Sequence, residues 1–191
     1  MKKILLTSII ILLVTGCATI NYQVSARKDP FIEKLKGPKT YALKTNKNAN
    51  DAIIDKKILY LIGKELEKNG WQKNKLKNAK YIFSIEYEMQ GEKVTQTGSR
   101  PIRTRTRDYK TGKSTTHVTQ QAYSRNYNLY DRKIKIIVTS RPNGDEIWSA
   151  DCVSEGVTQD ILFAAKYMIP FAISKFPNEG LWNKREGYID N

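Results

Sequence analysis

IKIIVTSRPNGDEIWSADCVSEG, residues 134–156, decides the fold. Ile134, Ile136 and Val138 alternate with Lys135, Ile137 and Thr139, and a period of two marks a strand, because residues two apart share a face. Read backwards, the strand extends over Tyr127–Ser140, with Tyr130 and Arg132 on the face of Ile134, and Asp131 and Lys133 on the other. Pro142-Asn143-Gly144-Asp145 is a turn in which asparagine and glycine tolerate positive φ. Glu146 to Val153 then returns antiparallel, with Trp148, Ala150 and Cys152 on one side. On that side Cys152 reads as a buried small hydrophobe rather than a reactive or cross-linking thiol, the competing reading, and no histidine lies near it in sequence to activate it.

Working outward, Ala79 to Met89 reads as another strand. Tyr81, Phe83, Ile85, Tyr87 and Met89 form one face, and Ile82, Ser84, Glu86 and Glu88 the other. Before it, Asn50 or Asp51 caps a helix to about Lys68, with Ile54, Ile58, Leu61, Ile62, Glu65 and Leu66 at intervals of three and four. Asn69-Gly70 ends it, and Trp71 packs back. Lys39 to Leu43 is a short strand between Gly37-Pro38 and a polar loop. After Gly156, residues 159–175 read as a second helix, which Pro170 either kinks or restarts. Ile20, Tyr22, Val24 and Ala26 alternate with polar residues, as a first strand or an extended tether would. The expected class is α+β: an antiparallel or mixed sheet with two helices packed on one face and a long basic hairpin insert over about residues 90–128. The domain proper spans 39–176. A polar tail follows over 177–191, in which Leu181, Trp182, Tyr188 and Ile189 either dock or stay mobile.

The N-terminus carries the strongest functional signal. Lys2 and Lys3 precede an apolar run from Ile4 to Val14, too short to span a bilayer as a mature helix. The run ends in Val14-Thr15-Gly16-Cys17, which resembles the bacterial lipobox. Residues 1–16 would be removed, and Cys17 would carry a thioether-linked diacylglycerol and an N-terminal acyl chain such as palmitate. Two or three chains anchor stably where one does not. The resemblance to Gram-negative lipoproteins, where aspartate after the cysteine often marks inner-membrane retention, implies for Ala18 the outer membrane facing the periplasm, or the cell surface in a Gram-positive host. An ordinary secretory signal with an incidental cysteine is the competing reading. With Cys17 acylated, Cys152 has no internal disulfide partner.

The full chain carries a formal charge of +14, which falls to +12 once Lys2 and Lys3 leave. Residues 93–135 hold eleven basic residues against Asp108 and Asp131, a net of +9. Within them Arg100, Arg103, Arg105, Arg107, Lys110 and Lys113 are the candidate anion-binding set. If extended, Arg103, Arg105 and Arg107 share a face at about 6.6–7 Å spacing, and guanidinium forks suit phosphate or carboxylate oxygens. A solvated hairpin whose charges stop an edge strand from pairing with another molecule is the plainer alternative. Export argues against nucleic acid as the partner. An anionic glycolipid, a peptidoglycan-associated component or an acidic protein fits the compartment. Oligomeric state is not legible.

Catalytic patterns are missing. His117 is the single histidine, which excludes a multi-histidine zinc site, and no P-loop, dinucleotide fingerprint, serine elbow or HExxH motif occurs. No cofactor is expected. Glu86 and Glu88 share a strand face as a carboxylate pair would, and equally as an exposed sheet face would. The expectation is a membrane-anchored, non-catalytic binding or structural module. The alternative is a hydrolase-like envelope enzyme, which a deep pocket gathering Glu86, Glu88 or Asp151 near a basic residue would revive.

The order of elements resembles a known family. The lipobox cysteine, "KTYAL" (39–43), "ELEKNGW" (65–71), "AKYIFSIEYEM" (79–89), a variable insert, residues 134–156 and a final helix are similar to bacterial lipoproteins carrying domain of unknown function 4136. Tyr41, Gly70, Gly144, Trp148 and Gly156 carry the likeness over about residues 17–176. It implies an exported, lipid-anchored α+β protein, and it carries no activity, cofactor or catalytic residue. The insert departs from the family, being rich in arginine and threonine where relatives are rich in glycine and tyrosine.

Overall fold

The computed structural model describes residues 18–31, 35, 37–45 and 51–188. The expected leader at 1–16, Cys17, Asn50 and Ile189 lie outside them. The described strands are β1 (Ala18–Lys28), β2 (Thr40–Leu43), β3 (Gln72–Lys73), β4 (Tyr81–Arg107), β5 (Ser114–Ser140), β6 (Glu146–Gly156) and β7 (Gly180–Tyr188), and the helices are α1 (Ala52–Lys68) and α2 (Ile161–Lys175). The strands form one sheet in the order β3-β2-β4-β5-β6-β1-β7. β2 runs parallel to β3 and β4, and the other pairs are antiparallel.

This overturns the α+β expectation of a sheet with two helices packed on one face. Strands hold 56% of the described residues and helices 20%, so the fold is sheet-dominated with little helical packing. The expected hairpin insert is present but is no separate element, and part of the expected polar tail is strand. The supposed insert is the continuation of β4 and β5, each 27 residues long. Residues 180–188 of the supposed tail form β7, paired with β1 along its length. Neither buries a regular apolar face, so neither shows the alternation that marks a half-buried strand.

Alternation does fix the body. Tyr81, Phe83 and Ile85 of β4, Ile134, Ile136 and Val138 of β5, and Trp148, Ala150 and Cys152 of β6 are all buried on the face toward the helices. Phe176 sits at the centre of an aromatic cluster, with ring centroids 5.5 Å from Trp71, 5.5 Å from Phe83 and 5.1 Å from Trp148. The Trp148 indole N–H is satisfied by donating to the Asn178 carbonyl at 2.9 Å, and such pairing is what makes a buried tryptophan tolerable. Asp51 caps α1, its Oδ1 accepting from the backbone N–H groups of Ile53 and Ile54 at 2.7 and 3.2 Å. Gly70, with φ of +78°, carries the chain out of α1 toward Trp71. Asp160 caps α2, which runs unbroken through Pro170. Cys152 is fully buried, and burial pushes its thiol up to about 12.

Candidate functional site

β4 pairs with β2 only over Tyr41–Tyr81 to Leu43–Phe83, and β5 pairs with β6 only as far as Tyr130–Gly156. Beyond that row, residues 92–107 and 114–129 pair with each other alone, in unbroken register from Glu92–Leu129 to Arg107–Ser114. At about 3.4 Å per residue the free part of this two-stranded ribbon is on the order of 50 Å long. Two glycines shape it. Tyr130 lies against Gly91, where an added Cβ would come within 2.7 Å of the ring, and Tyr123 lies against Gly98, where a Cβ would meet the phenol oxygen at 2.8 Å. Each pair is directly cross-strand, so the ring covers backbone that would otherwise be bare. Pro101 fits because a two-stranded ribbon leaves outward positions that need no ladder hydrogen bond.

The six candidate anion-binding residues all lie on this ribbon and all are exposed. They do not form one surface. Arg103, Arg105 and Arg107 share a face, opposite Val118, Thr116 and Ser114. Arg100 is three residues from Arg103 and falls on the other face, where its Nη2 donates to Gln121 Oε1 at 3.3 Å. Arg125 shares the face of Arg100, with Tyr123 between their rows. At the tip, Asp108 Oδ1 accepts from the N–H groups of Lys110 and Thr111 at 2.8 and 3.4 Å, and Oδ2 from the Thr111 hydroxyl at 2.8 Å. These bonds, the Thr111 hydroxyl first, hold the Asp108 carboxyl below its ordinary range. Lys110 and Lys113 are thereby carried on a fixed turn closed by Gly112 at φ +69°. Over residues 92–129 eight basic residues face two acidic ones.

Arg132, counted from the sequence with this basic set, does not belong to it. It is 1% exposed, on the core face of β5. Its Nη1 donates to the Thr158 carbonyl at 3.3 Å, and a Cβ at position 156 would lie 2.6 Å from its Nη2. Gly156 is therefore the room in which the guanidinium sits. The place of Arg132 in the alternation, on the face of Ile134, Ile136 and Val138, was the sign of this in the sequence.

Glu86 and Glu88 project from the sheet face away from the helices and stand opposite Lys135 and Lys133. Lys133 Nζ is 3.6 Å from Glu88 Oε1. With Tyr87 and the two lysines, these carboxylates line a depression of about 120 Å³. Asp151 pairs with Lys135 in register but turns to Arg27, whose Nη2 is 3.4 Å from its Oδ2. The three carboxylates are thus set along a cross-strand charge ladder. The sequence-level condition for an acid–base site was a deep pocket, and this one has room for only a few water molecules. His117 stands on the ribbon opposite Thr104 and is exposed. Among the described residues, no group of three or more His, Cys, Asp and Glu side chains is placed to hold a metal ion. No described helix is long and apolar enough to cross a membrane.

The two ends of the sheet differ. Gln90, Asp131, Glu155 and Asn21 form one row across β4, β5, β6 and β1. The ribbon leaves the sheet beyond this row, and β1 also continues three residues beyond it, back to Ala18. The opposite end is closed by the 141–145 turn.

No family model matches the chain, and no curated protein matches it. Among solved structures it is similar to a PDZ domain protein from Parabacteroides distasonis, with 13% identity and a TM-score of 0.52, over 88% of this chain and 39% of that one. The chain thus spans well under half of that protein's length, and the likeness is one of fold alone. It also matches a PelC dodecamer from Paraburkholderia phytofirmans at 13% identity and a TM-score of 0.47, over 80% of this chain and 95% of that one.

Proposed function

We propose that this chain is a lipid-anchored, non-catalytic module of the bacterial cell envelope that works by presenting its basic ribbon to an anionic surface. The observation that carries the reading is the ribbon itself: about 50 Å of strand pair with no core beneath it and eight basic residues against two acidic ones. An isolated two-stranded hairpin is marginal in water, so a ribbon of this length gains from a surface to lie on. Ala18 and the ribbon root share one end of the sheet. Acylation of the preceding Cys17 would bring the arginines to the headgroup layer of the anchoring membrane. The lipobox and the family resemblance support the anchor and the outer-membrane location facing the periplasm. The surface bound is anionic lipid or glycolipid phosphate, with an acidic envelope protein as the competing ligand.

Two linked measurements test this. Acyl labelling and envelope fractionation of the parent and of Cys17→Ser should show label and membrane retention in the parent alone. The unacylated Cys17→Ser chain should co-sediment with vesicles containing anionic lipid at low salt and release at about 0.5 M salt, where the screening length is only a few Å. Replacing Arg100, Arg103, Arg105 and Arg107 by glutamine should abolish most of that binding. Equal co-sedimentation of parent and variant would reduce the ribbon to a solvated arm.

A further inference from the structure

The end of the sheet away from the ribbon holds a second basic feature that the ribbon does not explain. A cleft of about 540 Å³ opens there, lined by Lys44 after β2, Lys75, Leu76 and Lys77 of the loop before β4, Ile82 of β4, and Arg141 at the end of β5. Four cations therefore reach one concavity from three separate segments of chain, and no carboxylate lines it. Among the described residues, none of the four has an ion-pair partner. Surface lysines are ordinarily dispersed and solvated. Gathering four like charges around one concavity costs energy that a bound anion would relieve.

Arg141 is the fixed point of the cluster. Its Nη1 donates to the Leu76 carbonyl at 2.6 Å, and its own carbonyl accepts from Lys80 Nζ at 3.1 Å. The loop it holds is closed by the N–H groups of Asn78 and Ala79 donating to the Lys75 carbonyl at 2.9 and 3.0 Å. One donor of the fork is used on the loop, which sets the plane of the guanidinium and leaves its other N–H groups for a ligand. Leu76 stays 47% exposed and, with Ile82 and Pro142, gives the cleft an apolar wall beside its charges.

We infer that this cleft binds a phosphomonoester attached to a small apolar group. A phosphomonoester carries about −1.5 to −2 charges at neutral pH and presents three strong acceptor oxygens, which suits several converging cations better than a single carboxylate does. The apolar wall receives the group that the phosphate esterifies. The same chemistry occurs on soluble esters and on the headgroup of phosphatidic acid.

Calorimetric titration of the detergent-solubilised full chain with phenyl phosphate tests the soluble source, and capture by the unacylated Cys17→Ser chain of vesicles containing phosphatidic acid tests the headgroup. Lys44, Lys75 and Lys77 are exposed, so the Lys44→Gln, Lys75→Gln, Lys77→Gln triple variant leaves the fold intact. Saturable binding of phenyl phosphate that weakens about ten-fold in this variant supports a site for a soluble ester. A preference for phosphatidic acid over phosphatidylglycerol vesicles of equal charge that is lost in this variant but kept by the four-arginine ribbon variant supports a headgroup site. Equal binding of both probes by parent and triple variant, failure of both probes, or loss of phenyl phosphate binding in the ribbon variant overturns the proposal.

Discussion

Between Tyr81 and Ile85, β4 alternates buried and partly open positions, and Phe83 is wholly inaccessible. Between Glu92 and Arg107 the same strand has no buried residue at all. Its partner β5 repeats the contrast, with Ile134, Ile136 and Val138 buried and residues 114–129 at best half-buried. One hydrogen-bond ladder thus runs through two regimes. In the body, apolar burial against α1 and α2 holds the strands. In the ribbon, only the ladder, cross-strand pairs and the tip turn hold them. Backbone pairing alone does not make a core, and a strand can outrun its core by many residues when its surface is polar enough to stay wet.

The contrast predicts unequal costs for similar changes. Phe83→Ala, which empties the aromatic cluster, should lower the free energy of unfolding by about 3–5 kcal/mol. Tyr123→Ala, which removes a ring of comparable size from the ribbon, should lower it by less than about 1 kcal/mol. Urea unfolding followed by tryptophan fluorescence measures both, and equal losses would mean that the ribbon folds as one unit with the body.

Glycine offers a finer test. Gly156→Ala drives a methyl group toward Arg132 Nη2 inside the core and should cost about 1–3 kcal/mol. Gly98→Ala meets Tyr123, which is 41% exposed and free to swing away, so thermal melts should shift by less than about 0.5 kcal/mol equivalent. A larger loss at position 98 would show that the ribbon's glycine–tyrosine pairs are structural necessities.

Titration separates the two regions most gently. The buried Cys152 thiol, raised from 9.0 to about 12, keeps a proton that the unfolded chain releases near pH 9. Its stabilisation is complete below pH 9 and is lost as pH rises toward 12. Cys152→Ala should flatten the alkaline decline by at most one proton, about 1.4 kcal/mol per pH unit. Asp108 has the opposite sense. Its lowered carboxyl stabilises the tip turn above the ordinary carboxylate range, and that contribution disappears as pH falls through the lowered value. Asp108→Asn should therefore loosen the tip at neutral pH, readable as faster hydrogen exchange at Lys110 and Thr111, converge with the parent in acid, and leave the alkaline limb unchanged.

Sequence reading succeeded where a face is buried. The alternations at Tyr81–Phe83–Ile85 and Ile134–Ile136–Val138, the Asp51 cap and the Asn69-Gly70 stop are local signals with local causes. It failed where strands are wet on both faces. Around Thr104, Thr106, Thr115 and Thr116 the hairpin could be named, but without a buried face its strand limits and its continuity with β4 and β5 could not. The register that pairs Gly98 with Tyr123 is visible only once both strands are placed. The basic residues of the candidate site were legible, but their division between two faces depends on that same strand geometry. The burial of Arg132 depends on Gly156 of the neighbouring strand. The cleft at Lys44 and Arg141 draws on segments almost 100 residues apart, a distance over which no local pattern speaks.

The place of β1 bears on when this protein can finish folding. It lies between β6 and β7, and Gln23 Nε2 donates to Asn183 Oδ1 across 160 residues of sequence. During synthesis the first strand has no partner until β6 exists, and it remains an open edge until β7 exists. Contacts of such long range are slow to form. A nascent chain of this design keeps its sheet uncompleted, and so stays threadable through a narrow pore, until residues 180–188 have been made.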